Sequence, residues 1–174
     1  RSRAKESEMT STIIFLRHGH SAANATHTLT GQLPGIGLSA LGKKQAEGLI
    51  DRIGSKNVDR LYLSPIERCQ LTIDPWLRSR NSSSLTSLEV VDGFSEIDFG
   101  QWSGEKLSAL RRKPLWKEVQ ERPSRVTFPQ GESFRQVQRR AVSAVQEILQ
   151  RRGKHRHLVV SHSDSIKLVL TQFM

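Results

Sequence analysis

Leu16-Arg17-His18-Gly19 sets a guanidinium, an imidazole and a glycine in direct succession, at the end of the apolar, β-branched run Thr12-Ile13-Ile14-Phe15-Leu16. Arg17 offers a planar fork of donors suited to phosphate oxygens. His18 offers a neutral ring nitrogen that can serve as base, nucleophile or metal ligand. Gly19 lets the backbone turn sharply and a substrate come close. The arrangement recurs late in the chain, where Leu158-Val159-Val160-Ser161 runs straight into His162. Between the two, Arg68 follows another apolar run, and residues 94–104 mix the carboxylates Glu96 and Asp98 with aromatics and glycines. Two arginines, two histidines and an acid at strand ends describe a pocket for a phosphoryl group. A metal-dependent hydrolase is the rival reading, because His18-x-His20 and His162-x-Asp164 resemble ligand pairs. Arg17 and Arg68 would repel a dication there, so no metal is expected.

The elements that must position these residues read as alternating strands and helices. Residues 12–16 and 58–63 read as buried strands, and 88–91 and 158–161 as a third and a fourth strand. Ser39 caps a helix carrying Leu41, Ala46, Leu49, Ile50 and Ile53 at helical spacing, and Gly54 stops it. Ser64 as N-cap, Pro65 at the first helical position and Glu67 completing a capping box predict a helix directly at a strand end. Arg68 then falls in the first turn, beside the helix's positive pole, where an anion would compensate it. Short helical pieces at 107–113 and 115–121 flank Pro114. Residues 132–152 form a long amphipathic helix with Phe134, Val137, Ala141, Val145 and Ile148 on one face and its arginines in solvent on the other. Asp164 and residues 166–173 begin a last helix. The order predicts an α/β fold, a three-layer α/β/α arrangement with a mainly parallel central sheet flanked by helices. In such a sheet Arg17, His18, Arg68, Glu96 and His162 share one edge.

At 174 residues the chain is one domain large enough for a sizeable core. Its 36% hydrophobic and 25% charged residues describe a globular protein rather than a disordered one. No run approaches the ~20 apolar residues of a membrane span, and the N-terminus lacks a signal-like apolar core. The lone Cys69 excludes an internal disulfide, fits a reducing cytoplasm and suits a small buried position. The net charge of +10 raises a nucleic-acid-binding module as a further reading. Its densest run, Arg151, Arg152, Lys154, His155, Arg156 and His157, lacks interleaved aromatics and reads as a solvated loop between a helix and a strand. Neither nucleic acid nor a membrane is expected as a partner. Residues 1–11 read as a flexible tail before a catalytic domain at 12–174.

Several pieces, in order, resemble the histidine phosphatase superfamily, the phosphoglycerate-mutase-like enzymes. They are Leu16-Arg17-His18-Gly19 with Ser21 and Asn24; Leu38-Ser39 through Gly42 with Gln45-Ala46; and Ser64-Pro65-x-x-Arg68-x-x-x-Thr72. Glu96-x-x-x-Gly100-x-Trp102-x-Gly104, Gly131-Glu132-Ser133 and Ser161-His162 complete the set. The resemblance implies a metal-independent phosphomonoester hydrolase without a cofactor, acting on a small phosphorylated substrate or a phosphoprotein. It implies that His18 attacks phosphorus and carries the phosphoryl group covalently. Arg17, Arg68 and His162, helped by Asn24, would bind the oxygens, and Glu96 would protonate the leaving oxygen and later deprotonate water. The flanking arginines independently disfavour imidazolium, keeping His18 neutral near pH 7. Relatives often carry Glu or Gln at His20 and Gly at Ser163. The segment 31–38 lacks the tryptophan and acidic residues of the true mutases' substrate loop, and there is no room for their longer insertion after the acid. Phosphoglycerate mutase is therefore the alternative activity. Relatives also continue with a further strand, so the domain is expected to lack its C-terminal strand.

Overall fold

The computed structural model describes residues 11–53, 58–79 and 83–173. Its strands β1 (Thr12–Arg17), β2 (Arg60–Leu63), β3 (Ser87–Val90) and β4 (Arg156–Ser161) form a parallel sheet in the order β1-β4-β2-β3. Arg17 pairs with Ser161, so β1 and β4 finish level and deliver His18 and His162 side by side. Leu63 pairs with Val160 and Val90, which brings the segments after β2 and β3 to the same edge.

The helices are α1 (Ala22–Ala25), α2 (Ala40–Glu47), α3 (Leu49–Ile53), α4 (Glu67–Arg78), α5 (Leu107–Leu110), α6 (Pro114–Glu121), α7 (Phe134–Leu149) and α8 (Ser163–Phe173). Alternation along each strand decides which layer a side chain joins. Leu61, Leu63, Leu158 and Val160 pack on Cys69, Ile73 and Trp76 of α4. Tyr62 and Val159 pack on Ala141, Val145 and Ile148 of α7 and Val169 of α8. Because both faces of the central strands β2 and β4 are covered, these are apolar runs rather than alternating ones, whereas the edge strand β3 leaves Leu88 42% and Val90 59% exposed. A third cluster of Ile97, Phe99, Trp102, Leu110, Val126, Phe128 and Val137 gives the irregular segment after β3 a core of its own. Trp102 anchors it, 2% exposed and stacked on Trp116.

Several local expectations change. Ser39 does cap a helix, its Oγ accepting the Gly42 N–H at 3.1 Å, but the helix breaks at Gly48 into α2 and α3 and leaves Leu41 exposed. Gly48 is the weak point because glycine gains least from helix. The expected stop, Gly54, and residues 1–10 of the expected tail lie outside the described residues. Gly42 is required for packing: a Cβ there would collide with the His20 carbonyl, so α2 presses directly on the turn after His18. Pro114 starts α6 at its first position rather than only separating two helices. The basic run is not a solvated loop throughout. Arg156 and His157 belong to β4, His157 is fully buried, and Arg151 grips Glu89 of β3 with two bonds of 2.5 and 2.7 Å. No helix among the described residues is long and apolar enough to cross a membrane.

Candidate active site

The turn after β1 is held by backbone. His18 N–H donates to Ser161 O at 3.0 Å, and Gly19 N–H donates to Thr72 Oγ1 at 2.8 Å. The Thr72 hydroxyl in turn donates to Arg68 O at 2.6 Å, tying the turn to α4. His18 Nδ1 lies 2.7 Å from Gly19 O. A carbonyl can only accept, so Nδ1 carries the hydrogen and Nε2 presents a lone pair. Arg68 Nε–H donates to that lone pair at 3.2 Å. Burial, joined by the charges of Arg68, Arg17 and His20 and opposed by the Gly19 carbonyl, lowers the His18 pKa to about 4. The imidazole is neutral at pH 7, with its free nitrogen facing a guanidinium.

Arg68 is 3% exposed. Its Nη2 donates to Gly31 O at 2.9 Å and to His162 Nδ1 at 3.1 Å, while Nη1 has no hydrogen-bond partner among the described residues. Burial lowers its pKa, but a guanidinium stays charged. Because His162 Nδ1 accepts, its hydrogen sits on Nε2, which donates to Ser64 Oγ at 2.8 Å. The two rings, with centroids 5.1 Å apart, therefore hold opposite tautomers. His162 is fully buried, and burial with the Arg68 and His18 charges keeps its pKa well below the usual value. Ser64 is used here rather than in a capping box. The helix α4 starts only at Glu67, with Ile66 in the cap position and no side-chain bond. Cys69 Sγ lies 3.5 Å from His162 Nε2, but burial pushes its thiol up to about 12, which leaves it un-ionised.

Glu96 Oε2 stands 3.8 Å from His162 Nδ1, too far for a hydrogen bond and facing a neutral ring. Burial and the nearby Asp164 raise the Glu96 pKa to about 7, against the Ile97 N–H bond and the charges of Arg68 and Arg140. This carboxyl therefore exchanges its proton near neutrality, the condition for an acid that later serves as base. Asp98 is occupied otherwise: its Oδ1 accepts the Gly100 N–H at 2.9 Å and closes a turn.

Arg140 is the residue that sequence reasoning missed. It was expected in solvent with the other arginines of α7. Instead its Nη1 donates to Gly93 O and Ser95 O at 2.8 and 2.9 Å, and its Nη2 to Glu96 O at 3.0 Å. Glu132 holds the same guanidinium through two oxygens and also accepts the Asp98 N–H at 2.9 Å. Burial pushes the Glu132 carboxyl up, but its bonds to Arg140 and Asp98 outweigh that and leave it below the usual range. The signal was available, because Arg140 lies three residues after Val137 and four before Ala144, both buried, hence on the inward stripe. Arg140→Lys is expected to lower turnover by about one to two orders of magnitude, since it keeps the charge and loses the fork that fixes Glu96. Arg140→Met should lose the same and also shift the apparent pKa of Glu96 upward in the pH–rate profile. Undiminished turnover in Arg140→Lys together with an unshifted profile in Arg140→Met would make Arg140 merely a packing residue.

Arg17 and Asn24 stand outside this buried cluster. They line a cavity of about 370 Å³ that His18 borders, together with His20, Gln45 and Arg52. Asn24 Oδ1 accepts the N–H and hydroxyl of Ser21 at 2.9 and 3.0 Å, and its amide nitrogen has no hydrogen-bond partner among the described residues. His20 Nδ1 is tied to Ser39 Oγ at 2.8 Å. Among the described residues no three His, Cys, Asp or Glu side chains are grouped to hold a metal ion.

Comparison with known proteins agrees with this architecture. A family model described as the histidine phosphatase superfamily (branch 1) matches residues 13–174. Phosphoserine phosphatase 1 of Hydrogenobacter thermophilus is 32% identical over 155 residues, 87% of this chain and 70% of that protein. An acid phosphatase of Mycobacterium tuberculosis is 29% identical over 166 residues, 93% of this chain and 75% of that one. The solved structure of Bacillus stearothermophilus YhfR aligns with a TM-score of 0.82 at 26% identity, covering 94% of this chain and 80% of its own. Parallel sheet, paired strand-end histidines and matched sequence together make this chain a member of the histidine phosphatase superfamily.

Proposed function

We propose that the protein hydrolyses phosphate monoesters without a metal ion, through a phosphohistidine formed on His18. The observation that carries this reading is the forced tautomer of His18, whose unprotonated Nε2 faces the buried guanidinium of Arg68. A phosphate dianion entering the site would take over the Arg68 Nε–H from His18 and free the lone pair. Arg68, with its unpartnered Nη1, and Arg17 and Asn24 at the mouth would bind the oxygens. The dianion would also favour proton uptake at His162 Nδ1, turning it from acceptor to donor.

In the first step the Nε2 lone pair forms the N–P bond as the ester P–O bond breaks, and Glu96 gives its proton to the departing oxygen. In the second, water attacks phosphorus, Glu96 takes a water proton, and the N–P electron pair returns to Nε2. Phosphatase names among the relatives favour water over a second alcohol as acceptor. The test is hydrolysis of 4-nitrophenyl phosphate and 3-phosphoglycerate after exhaustive treatment with a chelator. Undiminished release of inorganic phosphate is expected from both. Activity lost to the chelator and restored by zinc or magnesium would overturn the metal-free reading, and 2-phosphoglycerate as the product would make the enzyme a mutase.

A further inference from the structure

A second cavity, of about 420 Å³, takes no part in the chemistry above. Its floor is aromatic. Phe99, Trp102 and Phe128 are buried beneath it, and the half-buried Trp116 and Phe134 form its sides. The Trp102 and Trp116 rings are stacked, 20° from parallel with centroids 6.2 Å apart, and Phe128 meets Trp102 edge-on at 5.3 Å. Its charged lining is a loose pair, Asp164 and Lys167, 3.8 Å apart, with side chains 45% and 72% exposed.

Its position relative to the reacting groups follows from two contacts. Gly31, whose carbonyl receives Arg68 Nη2, abuts Phe99 so closely that a Cβ on it would stand 3.0 Å from that ring. Asp164 lies two residues after His162 on α8, and its charge is felt by the Glu96 carboxyl. Glu96, Phe99 and Trp102 also belong to one segment held by Arg140 and the third core cluster. Phe99 and Asp164 of its lining are thus the neighbours of Gly31 and of the Glu96 carboxyl, which puts the cavity on the flank where Glu96 would protonate the departing oxygen.

The chemistry of its walls selects what fits. A polyol chain would lose water from its hydroxyls and find few partners among indole and phenyl faces. A flat aromatic group gains area burial and favourable ring geometry with no such loss. We infer that this cavity is the subsite for the leaving group, and that the enzyme prefers phosphomonoesters of aromatic alcohols. The inference rests on the phosphatase reading above.

The test compares 2-phenylethyl phosphate with ethyl phosphate, whose alcohols leave with similar basicity, so that the ratio of kcat/KM reports binding of the ring. A preference of about fiftyfold is expected for the aromatic ester. Trp116→Ala should reduce that ratio to less than about fivefold by removing one wall. Val119→Trp should do the same by filling the space, without the cavity that could unsettle the fold. A wild-type ratio under about threefold, with both esters hydrolysed, would overturn the subsite and leave the phosphatase reading intact. Should neither ester turn over, tryptophan fluorescence separates the two ideas. Saturable quenching by 2-phenylethyl phosphate alone would overturn the hydrolase and keep an aromatic phosphomonoester as ligand, and absence of quenching would overturn both.

Discussion

His18→Ala should abolish turnover, by about four orders of magnitude or more, and with it the covalent phosphoenzyme. In the wild type, rapid quenching during turnover of a substrate carrying labelled phosphate should trap label that is released by acid and kept in alkali, as a phosphoramidate requires. The variant should show no label at any time. Label retained in His18→Ala would assign the covalent step to another residue and end the proposal. The same variant carries a second, thermodynamic signature. The native ring titrates at about 4 against 6.5 for the exposed imidazole, so between these values the unfolded chain holds more protons than the native one. By linkage, stability then falls as pH drops through that window. Integrated over the shift, the burden is roughly 3 kcal/mol, and it should vanish in His18→Ala. The variant should therefore lose less stability than the wild type as acid is added, while being inactive. A parallel loss of stability with pH in both would mean that the native His18 ring titrates like an exposed imidazole, without the shift that burial imposes.

Much of the scaffold was legible because it depends on short-range pattern. Apolar runs that end on His18 and His162 read as buried strands, and parallel strands bring their ends to one sheet edge, where the strand order makes β1 and β4 neighbours. The inward stripe of α7 and the anchoring role of Trp102 follow from periodicity and size in the same way. What escaped was long-range partner choice. Ser64 has the chemistry of a helix cap, yet a histidine 98 residues away takes its hydroxyl, and α4 starts without a side-chain cap. Arg140 has the composition of a solvent residue and the position of a buried one, and the position prevails because three carbonyls and Glu132 satisfy it. Arg151 leaves the basic loop for the same reason, drawn to Glu89, while His157 is carried inward by its place in β4. Between Glu96 and Asp98 the local residues leave the choice open and the resemblance selects Glu96; the fold adds that Asp98 is bonded to Gly100 while Glu96 stands 3.8 Å from His162.

That choice makes the sharper prediction. An acid assists most where the departing oxygen is strongly basic, so Glu96→Gln should slow phosphorylation by alkyl phosphates about a hundredfold or more. Aryl phosphates, whose phenolates leave unaided, should lose much less in the same step. Single-turnover measurement is needed, because Glu96 should act again when water attacks the phosphohistidine. The carboxyl titrates at about 7, and the two steps need opposite forms of it. In the wild type, phosphorylation by an alkyl phosphate should therefore slow as pH rises through 7, because the proton to be donated is gone. Hydrolysis of the phosphoenzyme should slow as pH falls through 7, because the base is then protonated. Steady-state turnover with an alkyl ester should thus peak close to neutrality. Glu96→Gln should erase both limbs, since an amide does not titrate there. Asp98→Asn should alter neither rate strongly, its oxygen being needed only for the Gly100 turn. Equal losses on alkyl and aryl substrates in the phosphorylation step would reduce Glu96 to a positioning role. A larger loss at Asp98, with the limbs intact in Glu96→Gln, would transfer the acid to the other carboxylate.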